Sequence, residues 1–346
     1  MTGPLPMYRA LRSLIFALDA ERAHRLTIAA VKAVPYRVAR FDPALEQNLF
    51  GLTFPSPVGL AAGFDKDAEV PDAMLSLGFG FVEIGTVTPL PQTGNPSPRL
   101  FRLPEDRAVI NRLGFNNRGQ AAALDRLSKR SRRGIVGVNI GANKDSADRI
   151  ADYALGVRRM AGVADYLAVN ISSPNTPGLR ALQAGGELAE LLAAVREART
   201  PGGPPVFLKV APDLDPGDHD RIVRAAIDSG IDALIVANTT VSRPALSSRY
   251  AGETGGLSGR PLRLLALEQL RIFRAAAGNS LPLIAVGGIE SAADGWARIC
   301  AGASLVQLYS ALVYEGPGLA RRIATGLARH VRRAGFANIA EAVGSE

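Results

Sequence analysis

The sequence predicts an α/β protein of the (β/α)8-barrel class, preceded by a helical hairpin. Eight short apolar runs recur along the chain, and segments of helical periodicity lie between them. The runs resemble buried parallel strands and lie at 58–63, 81–86, 135–140, 166–170, 206–210, 233–238, 283–288 and 304–309. Helical periodicity is clear at 188–199, 218–229, 261–277 and 291–301. An open doubly wound sheet is the alternative, but the Gly-x-Gly-x-x-Gly fingerprint of dinucleotide-binding folds does not open the first unit.

Composition narrows the class of protein. The chain has 346 residues, 47% of them hydrophobic, which suffices for one barrel with an extension. The single cysteine, Cys300, excludes an intramolecular disulfide framework and a cysteine-cluster metal site. Histidines stand only at 24, 219 and 330, without ligand spacing, so we expect no metal. The net charge of +8 indicates an anionic partner, and the lack of aromatic residues interleaved with basic ones argues against nucleic acid.

Residues 1–42 are predicted to form an N-terminal extension, and residues 43–346 the barrel domain. Apolar residues recur at helical spacing in two segments: Leu11, Leu14, Ile15 and Leu18, then Ala23, Leu26, Thr27, Ala30, Val31 and Val34. Asp19 is expected to cap the second helix and Pro35 to stop it. The pair is either an amphipathic hairpin for a membrane surface, or two helices packed on the barrel or in a dimer contact.

The helical pattern by itself favours the second arrangement, whereas the charge of the extension suits an anionic partner. Residues 1–40 carry two acidic side chains, Asp19 and Glu21, and seven basic ones, Arg9, Arg12, Arg22, Arg25, Lys32, Arg37 and Arg40. No run approaches the ~20 apolar residues that span a bilayer, and no signal-peptide pattern opens the chain. We therefore expect membrane contact to be peripheral and on the cytoplasmic side.

Between the second and third predicted strands lies a long connection at 89–117, rich in Pro, Gly and Asn and without a clear period. We expect an irregular loop there. Long irregular connections in compact barrels are often functional.

All eight predicted strands end in glycine or polar residues. The carboxyl ends carry the segments 62–66, 85–86, 139, 170–175, 209, 238–240, 287–288 and 309–310. These ends meet at one face of a barrel, where buried polar groups need a partner, so they predict a site for a large polar ligand.

Two local features indicate that this ligand is anionic. Gly287-Gly288 lets backbone N–H groups approach an anion, the helix expected from Ser291 points its positive end there, and the loops after strands seven and eight commonly hold phosphate. Lysine is scarce in this chain, yet Lys66 and Lys209 both stand at strand ends. Lys209 follows an apolar run and is expected to point into the barrel mouth, where a cation would stabilise an anionic flavin or an enolate.

Five segments resemble the signatures of the dihydroorotate dehydrogenase family. They are Asn170-Ile-Ser-Ser-Pro-Asn-Thr-Pro-Gly-Leu-Arg180, Ala62-Gly-Phe-Asp-Lys66, Asn111-Arg-Leu-Gly-Phe-Asn116, Gly255-Gly-Leu-Ser-Gly-Arg-Pro-Leu262 and Val286-Gly-Gly-Ile289. The resemblance covers nearly the whole chain. It points to the class 2, quinone-dependent branch, because Ser173 stands where class 1 members carry a cysteine base and because class 2 members have an N-terminal helical pair.

The resemblance implies oxidation of dihydroorotate to orotate in pyrimidine biosynthesis, with FMN as cofactor and a membrane quinone, ubiquinone or menaquinone, as acceptor. The implied FMN site comprises Ala62, Gly63, Phe64, Asp65, Lys66, Thr86, Asn139, Asn170, Lys209, Ala237, Gly259, Gly288, Tyr309 and Ser310. The implied substrate site comprises Lys66, Asn111, Arg112, Leu113, Gly114, Phe115, Asn170, Asn175, Asn238 and Thr239. Family members often have a hydroxyl residue where this chain has Ala237, so a backbone group would replace one hydrogen bond to FMN.

Ser173 is the implied catalytic base. A serine hydroxyl is a poor base at its free pKa, so we expect a proton relay through water or Thr176. The basic helical pair would rest on anionic lipid and admit quinone to the flavin.

Two other functions compete with this one. Another FMN barrel oxidoreductase, such as a dihydropyrimidine or dihydrouridine dehydrogenase, would share the phosphate site but usually uses a cysteine acid. Cys300 is instead predicted at a helix end before strand eight. A membrane-surface binding module without enzymatic activity is the second alternative, and it would not bind flavin.

Overall fold

The computed structural model describes residues 6–183 and 185–346. The chain begins with two helices, α1 (Pro6–Ala17) and α2 (Ala20–Lys32). Asp19 caps α2 as predicted, because its carboxylate accepts a hydrogen bond of 2.9 Å from the N–H of Arg22. Residues 1–5 of the predicted extension lie outside the described residues.

A short hairpin, β1 (Gln47–Leu49) and β2 (Leu52–Phe54), then leads into the barrel. Its aromatic side chains pack against residues at the starts of the barrel strands. The Phe54 and Phe81 rings lie 5.2 Å apart, and Phe50 lies 4.8 Å from Phe207. The hairpin therefore closes the end of the barrel opposite the predicted site.

Eight parallel strands form a closed barrel, as the sequence predicted. The remaining strands in chain order are β3 (Val58–Leu60), β4 (Phe81–Val87), β5 (Leu100–Leu103), β6 (Ala108–Asn111), β7 (Ile135–Ile140), β8 (Tyr166–Asn170), β9 (Val206–Lys209), β10 (Ala233–Val236), β11 (Gly256–Gly259), β12 (Leu283–Val286) and β13 (Ala303–Leu308). The barrel consists of β3, β4, β7 to β10, β12 and β13, and each pairs with its neighbour in chain order until β13 meets β3.

Helices surround the barrel and bury its outer face. They are α3 (Pro71–Ser76), α4 (Gly119–Ser128), α5 (Arg149–Met160), α6 (Gly185–Ala198), α7 (Asp218–Asp228), α8 (Arg263–Ala277), α9 (Ala292–Cys300), α10 (Ser310–Glu315) and α11 (Leu319–Arg333). The four segments with predicted helical periodicity are α6 to α9, with ends within about three residues of the prediction. Single 3-10 turns lie at Pro43–Leu45, Arg180–Gln183, Arg260–Leu262 and Ile339–Ala342.

The prediction of an irregular loop at 89–117 was wrong for residues 100–111. Strands β5 and β6 pair antiparallel there, and β11 joins β6 to make a three-stranded sheet beside the barrel mouth. Each strand is only four residues long, and β11 comes about 150 residues after β6. Such short, distant pairings leave almost no periodic signal in the sequence.

Candidate active site

A cavity of about 530 Å³ opens at the carboxyl ends of the barrel strands and extends to α1 and α2. Most residues predicted to bind cofactor or substrate line it. These are Ala62, Gly63, Phe64, Lys66, Thr86, Asn111, Leu113, Gly114, Phe115, Asn170, Ser173, Asn175, Lys209, Ala237, Asn238, Thr239, Gly259, Gly288, Tyr309 and Ser310. The cavity thus brings together residues that are up to 248 positions apart in the chain, from 62 to 310.

Three predicted residues do not line the cavity. The guanidinium of Arg112 instead lies 2.7 Å from a carboxylate oxygen of Glu253 and 4.6 Å from the Phe101 ring centre. Asp65 is buried and accepts hydrogen bonds from the backbone N–H groups of residues 69 and 70, both at 2.8 Å. Burial raises the pKa of Asp65 to about 6. Asn139 accepts hydrogen bonds from Thr86 and Asn170, which do line the cavity. Arg112, Asp65 and Asn139 therefore contact residues of the site without lining the cavity themselves.

Side-chain amides and hydroxyls form a continuous array on one wall of the site. The Thr86 hydroxyl donates to Asn139 Oδ1 at 2.5 Å, and Asn170 Nδ2 donates to the same oxygen at 3.1 Å. The Ser172 hydroxyl donates to Asn170 Oδ1 at 2.8 Å, and Asn238 Nδ2 donates to Ser172 at 2.9 Å. The array spans strand ends from β4 to β10, so one cross-linked surface of amides faces a ligand.

Lys209 is a buried cation, 4% exposed, and it lines the cavity. Its nearest acidic group is Glu83, with 3.9 Å between Nζ and Oε1. Burial lowers the pKa of Lys209, and the charge of Glu83 opposes that shift. Within residues 6–183 and 185–346, no protein acceptor lies within hydrogen-bonding distance of this ammonium. A ligand with acceptor atoms, such as a flavin ring, fits this donor.

A second cation stands across the mouth. Lys66 Nζ donates to the backbone oxygen of Gly63 at 3.1 Å, and burial lowers its pKa. Two lysines at one mouth favour an anionic ligand.

The strand ends β12 and β13 form a narrow cleft floored by backbone. Gly287 and Gly288 both have positive φ, 110° and 68°. A Cβ on Gly288 would lie 2.3 Å from the Cα of Arg263, so only glycine fits this approach. Opposite them, the Ser310 hydroxyl lies 2.7 Å from that of Ser258. Exposed backbone and paired hydroxyls are the donor set that a phosphate needs.

The segment after β8 contains Ser173, which is 5% exposed and lines the cavity. Its hydroxyl accepts a hydrogen bond of 3.2 Å from the N–H of Asn175. Thr176 Oγ1 is buried and has no hydrogen-bond partner among the described residues. This unpaired hydroxyl, three residues from Ser173, is a group that could accept and donate hydrogen bonds in the expected proton relay.

Arg180 fastens this segment to its neighbours. Its guanidinium donates to the carbonyl of Ser172 at 3.0 Å and to that of Thr239 at 2.9 Å, and it pairs with Asp213 at 2.8 Å. Burial raises the pKa of Asp213, but hydrogen bonds from Thr240, the N–H of residue 241 and Arg180 outweigh it, so the net shift is downward. Arg180 lay in a quoted motif, but sequence reasoning gave it no role.

The cavity continues as an apolar arm under α1 and α2, and most of the apolar face predicted for α2 lines it: Ala23, Thr27, Ala30, Val31 and Val34. The arm is also lined by Tyr8, Phe16, His24, Val109 and Leu312, among others. The His24 and Phe64 rings meet edge to face at 5.3 Å. Burial and the charge of Lys66 lower the pKa of His24 to about 3, so its imidazole is neutral. Of the predicted face, only Leu26 points away, at 58% exposed, whereas sequence reasoning gave His24, Tyr8 and Phe16 no role.

The extension is packed on the barrel, which was one of the two arrangements left open. The Tyr8 hydroxyl donates to the carbonyl of Val313 at 2.8 Å, and Glu21 pairs with Arg99 at 2.6 Å. Several of its apolar side chains nevertheless remain exposed: Leu11, Leu14, Leu18, Leu26, Val34 and Val38. Along the described residues, no helix combines the length and apolar character needed to cross a bilayer.

The fold and this site define a (β/α)8-barrel protein whose mouth, lined by amides and two lysines, suits a polar anionic ligand. A family model described as "Dihydroorotate dehydrogenase" matches residues 44–331. A protein of Novosphingobium aromaticivorans named "Dihydroorotate dehydrogenase (quinone)" is 64% identical over 346 residues, covering 98% of this chain and 99% of its own. One of the same name from Rhodospirillum rubrum is 53% identical, with coverage of 98% and 94%.

A solved structure of a related protein has the same fold. The crystal structure of DHODH from Eimeria tenella in complex with ferulenol has a TM-score of 0.90 and 42% sequence identity, covering 94% of this chain and 95% of its own. The chain therefore belongs to the dihydroorotate dehydrogenase family, in its quinone-dependent class. It is an oxidoreductase, and the family implies a flavin cofactor. Cys300 ends α9 as predicted and does not line the cavity.

Proposed function

We propose that this protein oxidises (S)-dihydroorotate to orotate in pyrimidine biosynthesis, with FMN as cofactor and a membrane quinone as the final acceptor. The observation that supports this best is one cavity that joins an amide-lined barrel mouth to an apolar arm under two helices. A polar substrate and an apolar acceptor then approach one cofactor from different sides.

FMN is the flavin that would suit the barrel mouth, because Gly259, Gly288, Tyr309 and Ser310 line the cavity and would offer backbone and hydroxyl donors to a terminal phosphate. Lys209, Thr86 and Asn170 would hold the ring, with a backbone group serving at Ala237. When bound, FMN supplies the hydride-accepting chemistry that no side chain offers.

The substrate would lie against the amide array. Dihydroorotate carries ring amides and a carboxylate, and asparagines offer donors and acceptors to amides. Asn111, Asn175 and Asn238 line the cavity, and Asn175 Nδ2 donates to Asn111 Oδ1 at 3.2 Å. Lys66 would offset the carboxylate charge.

Ser173 would remove the proton from the substrate ring carbon. Its hydroxyl needs a second group to take its own proton, and Thr176 Oγ1 is buried, unpaired within the described chain and three residues away. The relay would run from Ser173 through bound water or through Thr176, whose hydroxyl would accept one proton as it releases its own, and would end in bulk water.

An anaerobic titration tests the reaction. Dihydroorotate should bleach the visible absorbance of the purified flavoprotein, and a ubiquinone or menaquinone analogue should restore it. Bleaching without recovery on quinone would contradict the proposed acceptor. A flavin that dihydroorotate leaves oxidised would contradict the substrate, and a colourless protein would contradict the cofactor.

The extension, residues 1–42, is proposed to be the peripheral membrane contact and quinone entrance. Leu14, Leu26 and Val38 are 70%, 58% and 75% exposed, an apolar surface flanked by arginines. Vesicles with anionic lipid should bind the protein more tightly than neutral vesicles, and equal binding would contradict a role for the arginines.

Quinone entry can be tested separately from membrane binding. Thr27 lines the apolar arm, so Thr27→Trp should obstruct it and slow flavin reoxidation by quinone about tenfold or more. Flavin reduction by dihydroorotate should be unchanged, because Thr27 is remote from the amide array. Equal slowing of both half-reactions would contradict a separate entrance.

A further inference from the structure

Glu83 is a fully buried carboxylate inside the barrel, with a side chain 0% exposed, and it takes no part in the mechanism above. It accepts hydrogen bonds from Asn139 Nδ2 at 2.7 Å, Gln307 Nε2 at 2.8 Å and the Tyr166 hydroxyl at 3.1 Å. The ammonium of Lys209 stands 3.9 Å away. Three donors and a cation surround it, which is the environment of an ionised carboxylate.

An ionised carboxylate can only accept hydrogen bonds, so it determines how its amide neighbour is turned. Asn139 must present its Nδ2 to Glu83, which leaves its Oδ1 towards the site. That oxygen accepts from Thr86 at 2.5 Å and from Asn170 Nδ2 at 3.1 Å. The orientation of Asn139 therefore follows from Glu83.

The next amides continue in the same direction, which a backbone donor also supports, since the N–H of Ser172 donates to Asn170 Oδ1 at 3.3 Å. Because Asn170 donates towards Asn139, its Oδ1 faces the Ser172 hydroxyl, which donates to it at 2.8 Å. The Ser172 oxygen is then free to accept from Asn238 Nδ2 at 2.9 Å. The Asn238 Oδ1 accepts the N–H of Thr239 at 2.7 Å. In each hydrogen bond of this series, the acceptor is the group nearer to Glu83 along the series and the donor is the group farther from it.

We propose that Glu83 is a positioning residue that fixes the orientation of Asn139, and through Asn139 Oδ1 the donors of Thr86 and Asn170 in the array presented to dihydroorotate. The inference rests on the proposed function, since it concerns the same substrate. Glu83 itself touches neither cofactor nor substrate, because it is absent from the cavity lining.

Glu83→Gln tests this with little change of shape. A glutamine amide can donate or accept, so Asn139 can turn either way and the array loses its single direction. Orotate should then bind the flavin-loaded protein about tenfold more weakly, as expected when one or two hydrogen bonds to the ligand are mispaired. Binding is read from the shift of the flavin absorbance, with flavin content and melting temperature measured alongside.

A double variant separates hydrogen-bond direction from packing. In Glu83→Gln/Asn139→Asp the new glutamine can donate to the new carboxylate, which still accepts from Thr86 and Asn170. The array regains its direction, so orotate affinity should return to within about threefold of wild type. Both exchanges are isosteric, so the packing is the same in the single and the double variant. If Glu83 acted only through packing or charge, the second substitution would not restore orotate affinity.

Tyr166→Phe is the matched control. It removes one donor to the same carboxylate but leaves Glu83 an acceptor, so orotate affinity should stay within about twofold of wild type. The inference is overturned if Glu83→Gln binds orotate like wild type, if the double variant shows no recovery, or if Tyr166→Phe weakens orotate as much as Glu83→Gln. A wild-type flavoprotein that does not respond to orotate would overturn the proposed function instead, and this inference with it.

Discussion

Replacing Arg180 with methionine is expected to slow flavin reduction by dihydroorotate about 30-fold. Methionine keeps much of the apolar stem but removes donors to the carbonyls of Ser172 and Thr239 and the ion pair with Asp213. Hydrogen bonds from a charged donor contribute ~1.5–3 kcal/mol each, but Asp213 keeps donors from Thr240 and the N–H of residue 241. Water can also reach side chains that are 21% and 15% exposed, so we take the net loss as about 2 kcal/mol.

The assay is anaerobic stopped-flow bleaching of the flavin. Reoxidation by quinone should be unchanged, because Arg180 contacts the segment that carries Ser173 and does not line the apolar arm. Arg221→Met is the matched control, since Arg221 pairs at 2.5 Å with Asp218 on the surface of α7 and should leave both half-reactions unaltered. The reasoning would be refuted by an Arg180→Met variant that reduces its flavin at the wild-type rate, or that loses both half-reactions equally.

Three further predictions concern the base, the phosphate cleft and a buried acid. Ser173→Ala should slow flavin reduction at neutral pH by roughly 100-fold or more; a full rate in stopped flow would contradict its role as base. Gly288→Ala should weaken FMN binding about tenfold or more, measured by flavin release, because a Cβ would lie 2.3 Å from the Cα of Arg263. FMN binding as tight as in the wild type would contradict the proposal that the phosphate binds in this cleft. Since the folded-state pKa of Asp65 is raised from 3.8 to about 6, its contribution to stability is present at low pH and lost between those values. The free energy of unfolding should therefore fall relative to Asp65→Asn as pH rises from about 4 to 6, by on the order of 3 kcal/mol in denaturant titrations; a pH-independent difference would contradict this.

The amide array illustrates how far sequence reasoning reached. Strand ends predicted that Thr86, Asn170 and Asn238 would meet, because parallel strands of a barrel all end at the same face. Their hydrogen-bond direction was not predictable. It depends on backbone donors in the folded loops and on Glu83, which lies inside an apolar run that indicates only a buried strand. A buried charge with distant partners leaves no periodic signal.

The eight strands, four of the helices between them, the cap of α2 and the polar mouth of the barrel could all be predicted from the sequence. These depend on apolar runs, helical periodicity and the residues at the ends of strands and helices, which are local properties of neighbouring residues. The β5–β6–β11 sheet, the contacts of Arg180 and the continuous cavity from the barrel mouth to α1 and α2 became apparent only in the folded protein. Each depends on surfaces that meet across tens to hundreds of residues, where shape and desolvation rather than local pattern select the partner.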